Sequence, residues 1–477
     1  MDPAVVRRFC TELEEPFTEL WDPGPRLEEA GAELPRPGHR HPVEVTGQGS
    51  LPSVFAVTAL ATAAMGVAAR AAGRLVSQLG GPGGVVTVDQ RLASLWFGAT
   101  IVPDGWTLSP AWDAIAGDYE TSDGWIKLHT NAPHHKRAAL AVLGCRAERE
   151  VVGAAVRRWT GDDLEAEIVT AGGCAARLRT EDDWAAHPQG RAVAGEPTVH
   201  LQPGRRGPER MPAAEASRPL SGVRVLDLTR VLAGPVATRF LAGLGADVLR
   251  IDPPTWDEPG VVPEVVRGKR CGRLDLGTVE GRAELRLLLE RADILMHGYR
   301  PGALDGLGLS AEERQTVAPG LVDVSLDAYG WTGPLAARRG FDSLVQMSTG
   351  IAATGMERTT ADRPRPLPVQ ALDHTTGYLM AATALHAWAD RLATGRGWVG
   401  RASLARTARI LTSGPRTDPD TAIEGPGPAD HEPEVEMTSW GPARRLTGPV
   451  TIPGTRLVWD RPATDLGSEP PPLGWLS

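Results

Sequence analysis

The chain has 477 residues, 23% of them charged, and a formal net charge of −9. That length accommodates about two to four domains, and the acidic balance, with no long Lys/Arg run, excludes nucleic acid as the main partner. The cysteines (Cys10, Cys145, Cys174, Cys271) are scattered with no CxxC pair, so neither disulfides nor a zinc site are expected and a reducing cytoplasm is the natural setting.

The first residues carry Glu12, Glu14 and Glu15 in place of a basic segment and an apolar core, so no signal peptide is expected. The stretch from Val54 to Ala72 is long and apolar, but Ala and Thr dominate it. It predicts a buried helix and no membrane partner. Two Pro/Gly-rich stretches, 196–218 and 413–436, read as linkers. They divide the chain into an N-terminal extension (1–49), a first module (50–195), a long module (219–412) and a C-terminal segment (437–477) that packs back on it.

The long module opens with Pro219 to Asp252. Val223–Leu228 is a short apolar run, the mark of a strand covered on both faces. A Leu232-Ala-Gly-Pro235 turn follows, and Pro235 suits the first turn of a helix, where its missing N–H costs nothing. Gly245 ends that helix, and Ala246–Ile251 predicts a second strand. Further strands are predicted at Gly272–Leu276, Asp293–His297 and Leu321–Leu326, with helices over Val279–Ala292 and from Ser310, whose S-x-x-E spacing is that of a capping box. This alternation predicts an α/β fold, a Rossmann-like parallel sheet with right-handed crossovers. Its carboxyl edge is where ligands bind. GxGxxG is absent, so an ordinary dinucleotide site is not indicated.

The segment from Pro366 repeats the one from Ser50: Leu-Pro, an Ala-rich helix, a Gly-rich turn and a β-run. Arg391-Leu392 fall on Arg74-Leu75, and Asp373 falls on Ala56. Gly80-Gly-Pro-Gly-Gly84 matches the turn at Thr394–Gly397 and reads as structural. By position alone, Asp373 before an apolar helix is a helix cap or a carboxylate facing free N–H donors. Lys269, Arg270 and Arg339 are surface cations or phosphate ligands.

Together these segments resemble the class III CoA-transferase family, which includes formyl-CoA transferase, carnitine CoA-transferase and α-methylacyl-CoA racemase. The resemblance rests on Leu220–Pro235, Leu244–Asp252, Gly268-Lys-Arg270, Leu274-Asp-Leu276, Arg300-Pro-Gly302 and Leu307-Gly-Leu309. Gly340-Phe-Asp342 with Gln346, Ala371–Gly377 and Thr394–Gly397 complete it. Asp118–Leu128, Ala171–Ala176 and His187-Pro-Gln189 resemble the family's smaller α+β domain, here placed before the large one. Gly441–Arg445 and the closing Pro472-Leu-Gly474 resemble its C-terminal strand and end. A tandem fusion with complementary losses gives this order.

The resemblance implies a transferase that moves CoA between an acyl-CoA donor and a carboxylic acid. Asp373 would be the nucleophile, forming an acyl anhydride and then an aspartyl-CoA thioester. An ordinary Asp, with a pKa of about 3.9, is already ionised at neutral pH. CoA would lie on Val231, Leu232 and Ala233, with Lys269, Arg270 and Arg339 on its phosphates and Tyr299 and Arg300 beside the adenine. Tyr299 reads equally as core packing. CoA is substrate here, with no permanently bound cofactor and no metal. A racemase would need a His where Phe341 stands, and a non-catalytic CoA-binding protein is the remaining alternative. Family members form interlocked homodimers. The first repeat helix could replace part of a partner, which leaves a homodimer, an altered dimer and a monomer open.

Overall fold

The computed structural model describes residues 2–18, 41–209, 214–420, 422–470 and 473–476. Much of the N-terminal extension, parts of both predicted linkers and Pro472 lie outside the described residues. Seven strands build one sheet: β1 (His200–Arg206), β2 (Arg224–Leu228), β3 (Asp247–Asp252), β4 (Lys269–Arg273), β5 (Ile294–His297), β6 (Val322–Asp327) and β7 (Arg396–Ser403). Their spatial order is β4-β3-β2-β5-β6-β7-β1. All neighbours are parallel except β1, which runs antiparallel to β7. The order reverses direction between β2 and β5, and a crevice opens at the carboxyl ends of strands at such a point.

Two expectations are corrected. The fourth strand begins at Lys269, three residues before the predicted Gly272, because Lys269 and Arg270 are matched by carboxylates and need no solvent. The stretch 196–218 is not all connection, since it supplies β1. An edge strand with a wet face need not be apolar, and Pro203 is tolerated there.

Five helices concern the site: α1 (Val57–Gln78), α2 (Ala233–Gly243), α3 (Asp342–Ser348), α4 (Ala371–Thr394) and α5 (Leu404–Ser413). α2 carries Pro235 in its first turn and stops before Gly245, whose φ of +105° is a left-handed conformation. α4 packs against both α1 and α2. An ideal Cβ on Gly377 would sit 2.4 Å from the carbonyl oxygen of Ala233, so only glycine lets α4 approach the start of α2 this closely. α1 is buried among these elements almost all round.

The two helix–strand–helix segments share their caps. Ala56 precedes α1 with φ −73° and ψ 55°, and Gln370 precedes α4 with φ −75° and ψ 64°. Asp89 caps the helix after the strand Val86–Asp89 as Ser403 caps α5 after β7. Counted from these caps, Ala59, not Ala56, stands in Asp373's place.

A small unit precedes the sheet in sequence. Strands Gly117–Glu120, Trp125–Leu128 and Ala175–Arg177 carry helices Pro133–Leu143, Arg149–Val156 and Gly161–Thr170 over a core that includes Ile126, Val152 and Leu164. It meets α3 where Cys174 and Ala176 pack on Leu344 and Met347. The C-terminal segment returns to α2, where the indole N–H of Trp459 donates to the Arg239 carbonyl at 2.9 Å.

One buried pair ties strands to helix. The Lys269 ammonium lies 3.1 Å from Asp227 Oδ2 and 3.0 Å from the Pro235 carbonyl oxygen. Both side chains are fully buried. Asp227 also accepts from Thr229 and Thr238. Burial lowers the Lys269 pKa to about 8 although Asp227 raises it, while the cation holds Asp227 below its ordinary value. Lys269→Met strands Asp227 in the core, and is expected to cost about 3–5 kcal/mol of stability, read as a fall in the urea midpoint.

Candidate active site

A cavity of about 400 Å³ lies along the carboxyl edge of the sheet. After β2 it is walled by Val231, Leu232 and Ala233, and after β5 by Tyr299 and Arg300. Asp373 and Arg339 complete the expected residues that line it. Lys269 and Arg270 do not. Lys269 is closed inside the sheet, and Arg270 pairs with Asp247 at 2.5 Å and Glu469 at 3.3 Å. Their charge is spent on carboxylates of this chain.

The start of α4 is set by a residue from another helix. Asp342 Oδ2 accepts the backbone N–H groups of Leu372 and Asp373, each at 2.9 Å. Gln346 donates to the other Asp342 oxygen, and its own carbonyl accepts the Leu367 N–H at 2.7 Å. Asp342 therefore caps α4 across space. Asp373 is not the cap, since it is the third helical residue behind Gln370. Nor are the first N–H groups free for an oxyanion, because Asp342 takes them.

The same bonds hold two carboxyl groups together in a buried place. Burial first, and then the Asp342 charge, raise the Asp373 pKa well above the usual aspartate value. Burial pushes Asp342 up to about 6 against the N–H donors that lower it. Asp373 is 8% exposed. The expectation of an ordinary, already ionised aspartate is corrected: the pair keeps a proton to higher pH.

The turn after β2 is strained. Val231 has φ +65°, a left-handed conformation that a β-branched residue rarely adopts. Its N–H donates to Glu258 Oε2 at 3.0 Å. Glu258 is in turn bound by Arg250, which also holds Asp252 at 2.8 Å inside the sheet. A buried charge network thus sets the backbone that faces the cavity.

Several lining residues escaped the sequence reading. The Arg230 guanidinium lies between the rings of Trp256 (4.6 Å) and Tyr299 (5.5 Å), and donates to the Tyr299 hydroxyl at 3.3 Å. Arg230 adjoins Val231, so adjacency was an available signal; Trp256, in the loop after β3, offered none. His134 and His135 reach the cavity from the small unit, at a distance along the chain no spacing could bridge. Burial lowers His135 to about 4, and its Nε2 lies 3.5 Å from Cys174 Sγ. Asp327 also lines the cavity. Phe341 stacks on His129 with ring centres 3.7 Å apart.

The model of the family described as CoA-transferase family III matches residues 220–438. Residues 220–438 are thus similar to CoA-transferase family III. Among curated relatives, "Probable fatty acyl-CoA transferase Rv3272" of Mycobacterium tuberculosis is 32% identical over 195 residues, which is 38% of this chain and 49% of that protein. "Succinyl-CoA:glutarate CoA-transferase" of Homo sapiens is 33% identical over 194 residues, 38% of this chain and 44% of that protein. A solved CaiB/BaiF family protein from Brucella suis is 29% identical, covers 47% of this chain and 65% of its own, and has a TM-score of 0.38. The chain spans about half the length of the curated relatives it matches. The matched segment holds Asp342, Asp373 and the turn after β2, whereas His134 and His135 come from outside it.

The raised acids give a stability prediction for this segment. A carboxyl raised in the fold favours its protonated form there. The stability it contributes is full below the unfolded value near pH 4 and is lost as pH rises through the folded value. Asp373→Asn removes the repulsion with Asp342. It is expected to exceed the wild type by about 1–3 kcal/mol at pH 8, with the advantage vanishing toward pH 4, as measured by thermal unfolding across that range.

Proposed function

We propose that the chain moves coenzyme A from an acyl-CoA donor to a carboxylic acid acceptor, with Asp373 as the covalent carrier. The observation that carries this reading is that one cavity brings Asp373 together with the strained turn at Val231–Ala233 and the Trp256–Arg230–Tyr299 stack. The turn suits the pantetheine arm, and the stack and Arg300 suit the adenine and phosphate end. Arg339 also lines the cavity, is exposed, and among the described residues donates to the Gly172 carbonyl at 3.3 Å. It suits an incoming carboxylate.

In the first step an Asp373 carboxylate oxygen attacks the thioester carbonyl. The C–S bond breaks, CoA leaves as thiolate, and a mixed anhydride remains. The thiolate then attacks the aspartyl carbonyl, releasing the donor acid and leaving an aspartyl-CoA thioester. The acceptor carboxylate attacks that thioester, and the thiolate returns to the acceptor carbonyl. Asp373 is regenerated with no net proton or redox change. Because the attacking form is the anion, kcat/KM should rise with pH across the raised titration of the Asp342–Asp373 pair. Phe341, stacked against His129, has no proton to exchange, so proton exchange at the acyl α-carbon draws no support from that position. The substrates are free acyl-CoA and acid in a reducing cytoplasm.

Hydroxylamine added during turnover should capture the acylated carrier as a hydroxamate on Asp373, identified by peptide mass. Asp373→Ala should lower transfer by roughly 10³-fold or more while still binding CoA. Full transfer by that variant, or a hydroxamate on another residue, overturns the assignment.

A further inference from the structure

The buried carboxylates of the sheet come with cations. Asp227 has Lys269 at 3.1 Å, Asp252 has Arg250 at 2.8 Å and Asp323 has Arg314 at 2.7 Å. Asp327, the last residue of β6, differs. It is 7% exposed, and Oδ1 accepts the Gly330 N–H at 2.8 Å. Oδ2 has no hydrogen-bond partner among the described residues. The residue nevertheless lines the cavity that holds Asp373.

Its place along the sheet edge separates it from the CoA-like end. The strands run β3, β2, β5, β6, β7, so Trp256, Arg230 and Tyr299 follow the first three. Asp327 closes β6 opposite Ser403, which ends β7. Around this end the lining includes Leu326, Ala328, Phe341 and Leu404, with Arg338 and Arg339 just before Phe341. A thioester poised at Asp373 with its CoA arm toward Tyr299 has this end left for its acyl chain.

Burial raises the Asp327 pKa to about 8, aided by the charge of Glu196 and opposed by the Gly330 N–H. Glu196 cannot accept Asp327's proton freely, since its Oε1 already takes the N–H of Trp331, the N–H of Thr332 and the Thr332 hydroxyl. At neutral pH the side chain is therefore a largely protonated acid with a hydrogen to donate. A buried polar group of this kind discriminates sharply against a ligand that leaves it unpaired.

We propose that Asp327 reads the acyl group: its carboxyl hydrogen-bonds an oxygen substituent on the acyl chain, so the cavity takes an oxygen-bearing acyl group in preference to a plain hydrocarbon one. This deepens the transferase reading and rests on its placement of acyl-CoA in the cavity.

The test is the ratio of affinities for 3-hydroxybutyryl-CoA and butyryl-CoA, measured by calorimetry on the full chain without acceptor acid. The wild type should favour the hydroxylated chain by about tenfold or more. Asp327→Val should bring the ratio near one, and Asp327→Asn, which keeps a donor, should restore most of it. Asp327→Ala replaces the Val variant if that fails to fold. A wild-type ratio near one, or a ratio untouched by loss of the carboxyl, overturns the proposal. If the ratio behaves as expected yet no CoA moves between acids, the transferase reading fails alone. If transfer proceeds and the ratio is one, only the role of Asp327 fails.

Discussion

The site depends on one long-range cap, Asp342 on the first turn of α4. A helix that begins in the interior must satisfy its first N–H groups there, and two of them are given to Asp342 at 2.9 Å each. That bond fixes where α4 starts, and so which residue of its first turn faces the cavity. It also brings a second acid beside Asp373, which makes that acid harder to ionise. Burial is the larger cause of that shift, and the residue that positions the helix adds to it. A cap by a neutral side chain would hold the helix without the repulsion. With an acid as the cap, the state of Asp373 depends on the proton held between the two groups.

The wall facing Asp373 is held in a similar way, by charge sealed inside the sheet. Lys269 joins β4 to Asp227 of β2 and to the first turn of α2. Arg250 holds Glu258, which holds the N–H of Val231 in its left-handed turn. Leaving any of these ions unpaired in the interior would be costly, so the turn cannot relax by shedding one bond. The cavity keeps its shape because its lining is anchored to fully buried ion pairs in the sheet below it, Lys269 with Asp227 and Arg250 with Asp252.

The fold was legible where burial and periodicity agree. Val223–Leu228 and Leu321–Leu326 are apolar runs, and both are strands within a residue or so of their predicted bounds. The start of β4 at Lys269 and the whole of β1, His200–Arg206, were missed for opposite reasons. The first hides buried cations whose partners lie elsewhere in the chain, and the second is an edge that stays polar. At the site, the turn after β2 and Asp373 carry local patterns, and the cavity contains them. Arg270 looked equally suitable, but whether a cation is free is decided by distant carboxylates such as Asp247 and Glu469. The contribution of His134 and His135 is a matter of tertiary contact alone.

The paired helices α1 and α4 show why similar segments need not make two sites. Their caps match, and they pack against each other. At the start of α4 the chain leaves a cavity, with glycine at 377 admitting the start of α2. At the start of α1 the corresponding space is filled. Arg416 lies over the Phe55 ring at 4.5 Å and pairs with Glu181 at 2.6 Å, and the backbones of Phe55 and Arg416 bridge. Ala59, in Asp373's place, is 1% exposed. A carboxylate at so buried a position would be costly, and alanine avoids that cost. α1 therefore contributes what an Ala-rich helix does well, a close-packed flank that keeps α4 rigid, and leaves the chemistry to its counterpart.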